Sequence, residues 1–274
     1  MKQPDSVAFI GGGNMARSFI AGLLADAVDA GSIRVADPIT AVREALHRDF
    51  GVQVFADNRD AVAGAGCWVL AAKPQLLRAV CEPLAGLAQS TQPLIVSIAA
   101  GVTTRQLDRW LGGAVAIVRA MPNLPALLGA GVAGVYASPQ VDAAGCRRAE
   151  RLLAATGQVV WLTDEGKMDA VTAVSGSGPA YVFLLAESML SAAQSQGLPP
   201  DAARVLVLQT VLGAARMLAE DDGEPGELRR RVTSPGGTTQ AAMDVFHGGD
   251  FDALVTRAIH AAAERGRELS AVNE

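Results

Sequence analysis

The stretch that most constrains this chain covers residues 7–16, Val-Ala-Phe-Ile-Gly-Gly-Gly-Asn-Met-Ala. Its four apolar residues predict a buried strand, and the three glycines predict a turn too tight for a Cβ. Apolar side chains then recur at helical spacing, at Met15, Phe19, Ile20, Leu23 and Leu24. Gly11, Gly13 and Ala16 fit the G-x-G-x-x-G/A fingerprint, in which glycines let the backbone approach a pyrophosphate at a helix N-terminus. The pattern therefore predicts a dinucleotide-binding unit.

A second predicted strand, residues 33–36, ends at Asp37, where dinucleotide folds place an acid against the ribose. A carboxylate there accepts a hydrogen bond from a ribose 2′-hydroxyl and repels a 2′-phosphate, which favours NADH. Arg43 follows on the next predicted helix, where it could pair a phosphate or face the solvent. The predicted cofactor is therefore NADPH or NADH.

The composition is that of a mildly acidic globular protein, because half of the 274 residues are hydrophobic, 19% are charged and the net charge is −5. Nothing in this balance favours nucleic acid, and the basic run 229–231 predicts a solvated helix end. Pro122 and Pro125 interrupt the longest uncharged stretch, residues 120–141, which excludes a membrane helix there. The three cysteines are widely spaced and predict neither disulfides nor a metal site. We expect a cytoplasmic protein with no signal peptide and no nucleic-acid or membrane partner.

Strands alternate with helices up to residue 163, which predicts a parallel, doubly wound sheet. The predicted strands are 7–10, 33–36, 52–55, 67–71, 94–99, 114–118, 131–136 and 158–162, and the helices that follow the first one are 40–50, 57–65, 75–88, 103–111 and 143–155. Beyond residue 163 only helices are predicted, over 180–196, 200–219, 224–232, 238–246 and 251–269. We therefore predict an α/β fold with a Rossmann-type domain over 1–163 and an all-α domain over 164–274.

Residues 202–215 of the helical half are apolar on nearly every side, whereas a surface helix shows one apolar stripe. Five helices in about 110 residues cannot bury all of that surface among themselves. We therefore expect a subunit interface, and a homo-oligomer that is at least a dimer.

Ligands of open α/β sheets lie at the carboxyl ends of the strands. The residues at those positions here are mostly small or apolar, which suits a nicotinamide ring better than acid–base chemistry: Asn14, Met15, Asp37, Asn58, Ala72, Lys73, Pro74, Ala99, Ala100, Gly101, Met121, Pro122 and Asn123. Lys73 could donate to the cofactor or simply face the solvent.

Two glycine-rich stretches interrupt the predicted helices of the C-terminal half. They are Ser-Gly-Ser-Gly-Pro-Ala-Tyr at 175–181 and Thr-Ser-Pro-Gly-Gly-Thr-Thr at 233–239, and each ends at a helix N-terminus. Free backbone N–H groups and hydroxyls in such turns can hold a small carboxylate, although a capped turn between helices has the same pattern. Two such turns attached to a dinucleotide domain favour substrate binding.

Proton donors are scarce near these turns. Reduction of a ketone needs one, usually His, Lys or Tyr, but the three lysines are Lys2, Lys73 and Lys167, and the histidines lie elsewhere in the sequence. His260 and Glu264 are spaced as a surface helix pair, and we expect no metal. A protonated imine already carries its positive charge, so it would tolerate a site made of hydroxyls and amides.

Six motifs resemble those of the pyrroline-5-carboxylate reductase family and span essentially the whole chain: residues 9–16, 72–75, 97–101, 119–123, 169–181 and 232–239. The resemblance implies a Rossmann domain, an all-helical domain that interleaves with its partner in a dimer, and NAD(P)H as reductant. It also implies reduction of (S)-1-pyrroline-5-carboxylate to L-proline, the last step of proline synthesis. Leu124 and Ala72 depart from the family's usual threonine and valine, which can alter packing at the ring.

The resemblance also implies roles for single residues. Gly11, Gly13, Asn14 and Met15 would hold the pyrophosphate, and Asn58, Ala71, Lys73 and Ala99 would line the cofactor, joined by Asp37 and Pro74 from the strand-end pattern. Glu165, Ser234, Gly237, Thr238 and Thr239 would bind the substrate, with Thr239 near the ring nitrogen. Thr239 and Ser175 are the candidate catalytic residues. The alternatives are a β-hydroxyacid dehydrogenase, which needs a lysine or comparable acid that 180–196 does not contain, and a catalytically silent NAD(P)-binding regulator.

Overall fold

A computed structural model describes residues 6–272 and divides the chain into two compact units. The first unit combines the residues up to Ser177 with those from Ala262 onward, and the second is Gly178–Ala261. The domain boundary predicted at residues 163 and 164 marks the change from strands to helices and stays a prediction. Residues 1–5 and 273–274 of the predicted domains lie outside the described residues.

The first unit is built on an eight-stranded sheet. Its strands are β1 Val7–Ile10, β2 Ile33–Ala36, β3 Gln53–Phe55, β4 Cys67–Leu70, β5 Leu94–Ser97, β6 Ile117–Met121, β7 Gly131–Ala137 and β8 Gly157–Leu162. They lie in the order β3-β2-β1-β4-β5-β6-β7-β8, which confirms the predicted Rossmann-type α/β fold.

One expectation about the sheet is wrong. Strands β1 to β6 are parallel, but β7 runs antiparallel to β6, and β8 runs parallel to β7. The reason is the connection over residues 122–130, which is shorter than the dozen or so residues that a parallel crossover requires. The sheet is therefore mixed at one edge.

The α-helices of the first unit are α1 Asn14–Ala25, α2 Thr40–Phe50, α3 Asn58–Val62, α4 Leu77–Cys81, α5 Ala85–Thr91, α6 Thr104–Trp110, α7 Ala143–Ala154 and α8 Met168–Val171. The single helix predicted over 75–88 is α4 and α5 with a 3₁₀ turn, Glu82–Leu84, between them, because Pro83 cannot donate a backbone hydrogen bond. The strand predicted over 114–118 begins only at Ile117, because Gly112, Gly113 and Ala114 have positive φ angles.

Buried side chains cover both faces of the sheet. Val7 and Phe9 of β1 pack in one apolar cluster with Phe19, Ile20 and Leu46. Ala8 and Ile10, which point the opposite way, pack in a second cluster with Trp68, Leu70 and Leu77. Because both faces are buried, a ligand can reach this sheet only where the strands end.

The second unit is helical and exposes much apolar surface. It contains α9 Gly178–Ser195, α10 Pro200–Glu220, α11 Pro225–Arg231, α12 Thr238–Gly248 and the first half of α13 Phe251–Val272. By length and composition alone α10 could cross a membrane, and only 11% of its most apolar window is buried within the chain. Val205 is 67% exposed, and Leu184 of α9 is exposed as well. The surplus of apolar surface expected from the sequence is therefore present.

Candidate active site

The glycine turn after β1 leaves room at the start of α1. Gly11 has a φ angle of 105°, and a Cβ there would lie 2.8 Å from the Ala71 carbonyl oxygen. A Cβ on Gly12 would lie 2.6 Å from Leu46 Cδ1. Around Gly13, in contrast, no heavy atom of residues 6–272 comes within 4 Å of such a Cβ, and no described side chain caps α1. The unpaired N–H groups of α1 thus face open space that suits a pyrophosphate.

The other predicted cofactor residues follow the carboxyl ends of parallel strands. The structure therefore brings them to the same side of the sheet as the glycine turn, which follows the carboxyl end of β1. They are Asn14 and Met15 at the start of α1, Asp37 after β2, Asn58 at the start of α3, Ala71, Lys73 and Pro74 after β4, and Ala99 after β5. Lys73 is exposed, Ala99 is buried, and Ala71 is anchored by a hydrogen bond from its N–H to Ile10 O, at 2.9 Å.

Asp37 and Arg43 share the corner at the end of β2. The Asp37 carboxylate accepts hydrogen bonds from the N–H groups of Gly12 and Ile39, both at 2.9 Å. Arg43 donates from Nη1 to the Asp37 carbonyl oxygen at 2.7 Å and from Nη2 to Thr40 Oγ1 at 2.9 Å. A negative and a positive group are therefore both held where the ribose of a dinucleotide is expected.

Glu165, predicted to bind substrate, has both carboxylate oxygens engaged in the first unit. Oε1 accepts hydrogen bonds from Thr104 N at 2.8 Å and Arg119 Nη1 at 3.1 Å, and Oε2 accepts one from Thr104 Oγ1 at 2.6 Å. Arg119 is only 4% exposed, and its Nη2 lies 3.9 Å from Asp169 Oδ1. Glu165 therefore caps α6 and compensates a buried charge.

The sequence interpretation missed Arg119. It is the one charged residue of β6, whose other members are apolar and which lies inside the sheet. A lone charge in a buried strand needs a partner, and that signal was available in the sequence.

The stretch around Ser175 differs from the predicted glycine-rich turn in its first residues, which are π-helical, and a helix begins within it, at Gly178. Residues Thr172–Gly176 form a π-helical segment that joins α8 to the start of α9. The Ser177 N–H donates to Thr172 O at 2.8 Å, and Ser175 Oγ donates to Val171 O at 2.9 Å. Glycine and proline indicated a helix break, and the chain accommodates them with a π turn before α9 begins.

The stretch before α12, in the second unit, has the predicted turn. Gly236 has a φ angle of 69°, and Gly237 N donates to Ser234 O at 3.0 Å. Gly237 is the extended N-cap of α12, and no side chain among residues 6–272 caps this helix. The first N–H groups of α12, which include those of Thr238 and Thr239, therefore lack intrahelical partners and can bind an anion.

Two family models match the chain. Residues 165–269 match the model for pyrroline-5-carboxylate reductase dimerisation. Residues 6–101 match the model for coenzyme F420-dependent NADP oxidoreductases. The second match covers the glycine turn and the first five strands, and the first covers α8 to α12 and most of α13.

Complete proteins are similar over nearly the full chain. The pyrroline-5-carboxylate reductase of Pseudomonas aeruginosa is 51% identical over 264 residues, which are 96% of either chain. The solved structure of a pyrroline-5-carboxylate reductase from Coxiella burnetii is 42% identical with a TM-score of 0.93, over 97% of this chain and 98% of that one. The Plasmodium falciparum pyrroline carboxylate reductase, solved with NADP bound, is 25% identical with a TM-score of 0.86, over 98% of this chain and 100% of that one. The chain belongs to the pyrroline-5-carboxylate reductase family.

Proposed function

We propose that this chain reduces (S)-1-pyrroline-5-carboxylate to L-proline, with a reduced nicotinamide from NADPH or NADH supplying a hydride to C5 of the imine. The observation that carries the proposal is the uncapped N-terminus of α12 behind Gly236 and Gly237. Its N–H groups and the adjacent threonine hydroxyls suit a compact carboxylate. Family membership supports this reaction over hydroxyacid oxidation and over a silent regulator.

The residues of the α12 turn bind and orient the substrate in this proposal. Ser234, Gly237 and Thr238 hold the carboxylate, and Thr239 hydrogen-bonds the ring nitrogen. Ser175 Oγ already donates its proton to Val171 O, so its lone pairs can accept the single N–H of a protonated imine. Thr239 can then donate to the lone pair that the nitrogen gains when C5 takes up the hydride. The iminium becomes a neutral amine when it takes up the hydride, so the site needs no strong acid. Orientation and charge neutralisation supply the catalysis.

The cofactor is held by the turn of Gly11 and Gly13 with Asn14 and Met15, where open space meets the unpaired amides of α1. The rest of the cofactor is lined by Asp37, Asn58, Ala71, Lys73, Pro74 and Ala99. Glu165 acts on the substrate indirectly. Its carboxylate holds the start of α6, which follows the loop after β5 that contains Ala99. We assign it to positioning and not to substrate contact.

The protein is a homo-oligomer that binds a small-molecule substrate, and in this proposal it is at least a dimer and works in the cytoplasm. The exposed apolar faces of α9 and α10, which lie within the region matching the dimerisation model, support assembly through the helical unit.

The test follows the absorbance of the reduced cofactor with the purified full chain: its loss from NADPH or NADH with pyrroline-5-carboxylate, and its appearance from NADP+ or NAD+ with a β-hydroxyacid. Thr239→Ala should lower kcat/KM for the imine by about 10- to 100-fold, the usual worth of a positioned hydrogen-bonding group, and Thr239→Ser should retain most of it. Thr256→Ala is the matched control, because Thr256 Oγ1 donates to Asp252 O within α13. Activity with hydroxyacids alone would overturn the proposed reaction, and full activity of Thr239→Ala would remove the role of Thr239.

A further inference from the structure

Asn123, at the end of β6, ties two neighbouring segments together. Asn123 is only 9% exposed. Oδ1 accepts a hydrogen bond from Val132 N at 3.0 Å, and Nδ2 donates to Ser175 O at 3.1 Å. A backbone N–H can only donate and a carbonyl can only accept, so these partners determine the orientation of the amide. The side chain therefore joins β7 to the π-helical segment with both of its ends engaged.

Pro179 removes the α-helical donor for the carbonyl of Ser175. In an α-helix this carbonyl would accept a hydrogen bond from the N–H of the residue four positions later. That residue is Pro179, which has no N–H. Asn123 supplies the hydrogen bond that the proline cannot.

The same segment is packed closely against the sheet. A Cβ on Gly176 would lie 2.6 Å from Met121 Cε, and a Cβ on Gly134 would lie 2.5 Å from Val171 Cγ1. The Gly176 contact leaves no room for a side chain between the segment and β6, and the Gly134 contact packs the end of α8, just before the segment, against β7. Packing thus restricts the segment from the sheet side, and the Asn123 bond holds it by its backbone.

We propose that Asn123 is a positioning residue for the reduction: by holding Ser175 O, it maintains the π turn and the direction of the Ser175 hydroxyl. The inference rests on the proposed function, in which Ser175 lies at the substrate. The hydroxyl bonds Val171 O on the same turn, so a change of the turn also moves the hydroxyl. Single π turns of this kind occur frequently at functional sites.

The discriminating variant is Asn123→Asp. It keeps an oxygen for Val132 N and turns a second oxygen, in place of the N–H donor, toward Ser175 O. The matched control is Gln89→Glu, because Gln89 Nε2 donates to Leu111 O at 2.9 Å and Gly113 O at 2.7 Å, in the same unit but beside the loop that precedes β6. Both variants make the same chemical change and should lower the melting temperature. Only Asn123→Asp should lower kcat with pyrroline-5-carboxylate, by about tenfold, with the Kd for NADPH within about twofold of wild type.

Acidification provides a rescue. Protonation of the introduced carboxyl restores a donor to Ser175 O, so the wild-type to Asn123→Asp ratio of kcat should narrow as the pH falls from 7 toward about 4.5, near the usual aspartate pKa. An unchanged kcat in Asn123→Asp, an equal loss in Gln89→Glu, or a ratio that does not narrow would each overturn the inference. If Ser175→Ala is impaired while Asn123→Asp is not, the positioning role fails and the proposed function stands. A wild-type chain without reductase activity means that the proposed function itself has failed.

Discussion

In the proposed cofactor site, the corner at the end of β2 carries two groups that would act in opposite directions on the adenosine ribose. The Asp37 carboxylate is turned toward Gly12 N and Ile39 N, and Arg43 is held beside it through the Asp37 carbonyl oxygen. The carboxylate repels the 2′-phosphate of NADPH and accepts from the 2′-hydroxyl of NADH. Asp37→Ser should therefore raise the ratio of kcat/KM for NADPH to that for NADH.

The size of the change follows from the charges. Two unit charges about 6 Å apart, in an effective dielectric constant of about 40, interact by about 1.4 kcal/mol. A phosphate monoester carries about −1.5 to −2 charges, so loss of the carboxylate relieves about 2–3 kcal/mol for NADPH alone. The lost hydrogen bonds to Gly12 and Ile39 affect both cofactors and cancel in the ratio, as does Arg43. After screening by salt we expect a rise in the ratio of about tenfold or more.

Steady-state oxidation of each cofactor at saturating pyrroline-5-carboxylate measures this ratio. Asp142→Ser is the control, because Asp142 caps α7 through Gly145 N, at 2.7 Å, and serine can also cap a helix. Asp142→Ser makes the same change in net charge as Asp37→Ser. Asp142 follows the carboxyl end of β7, which points away from the carboxyl ends of β1 to β6 because β7 is antiparallel to β6. A ratio for Asp37→Ser within twofold of wild type, or an equal rise in Asp142→Ser, would refute the electrostatic reasoning.

Four further predictions concern assembly, the thiols and the buried ion pair. Val205→Arg should convert the oligomer to a smaller species in light scattering, because the interface would bury an unpaired charge; an unchanged mass would contradict this. Burial raises the pKa of Cys67 to about 11 and of Cys81 to about 12, so brief alkylation at pH 8 should modify Cys146 alone by mass spectrometry, and labelling of either buried thiol would count against it. Both pKa values exceed the usual 9.0, so the two thiols lose their protons at a lower pH in the unfolded chain than in the folded chain. The free energy of unfolding in urea should therefore fall as the pH rises above 9. Glu165→Gln should lower that free energy by about 2–3 kcal/mol, because its arginine partner stays buried; a loss below about 0.5 kcal/mol would exclude the ion pair as a stabilising element.

Local patterns were sufficient to predict most of the fold. The glycine turn and the alternation of apolar strands with helices specify β1 to β5 because those signals lie within a few neighbouring residues. The reversal at β7 was also readable, since residues 122–130 are too few for a crossover, but the alternation pattern alone does not report strand direction.

The candidate site was predictable only in part. The turn before α12 is a local feature, and its glycines and threonines indicate it directly. The engagement of Glu165 by Thr104 depends on residues 61 positions apart, and the bond from Asn123 to Ser175 spans 52 positions. Such contacts arise from tertiary packing, so no window of neighbouring residues contains the signal. For the same reason glycine and proline around Ser175 indicated a break where the chain forms a π turn.

The exposed apolar surface of α10 makes the stability of the fold depend on protein concentration. The apolar window of this helix is 11% buried within its own chain. If α10 packs against a second copy in the proposed oligomer, association contributes directly to the free energy of the native state. By mass action, dilution removes that contribution, and the midpoint of thermal unfolding should rise with protein concentration. Substitutions that weaken the contact between copies would then resemble folding defects, even at positions far from the glycine turn.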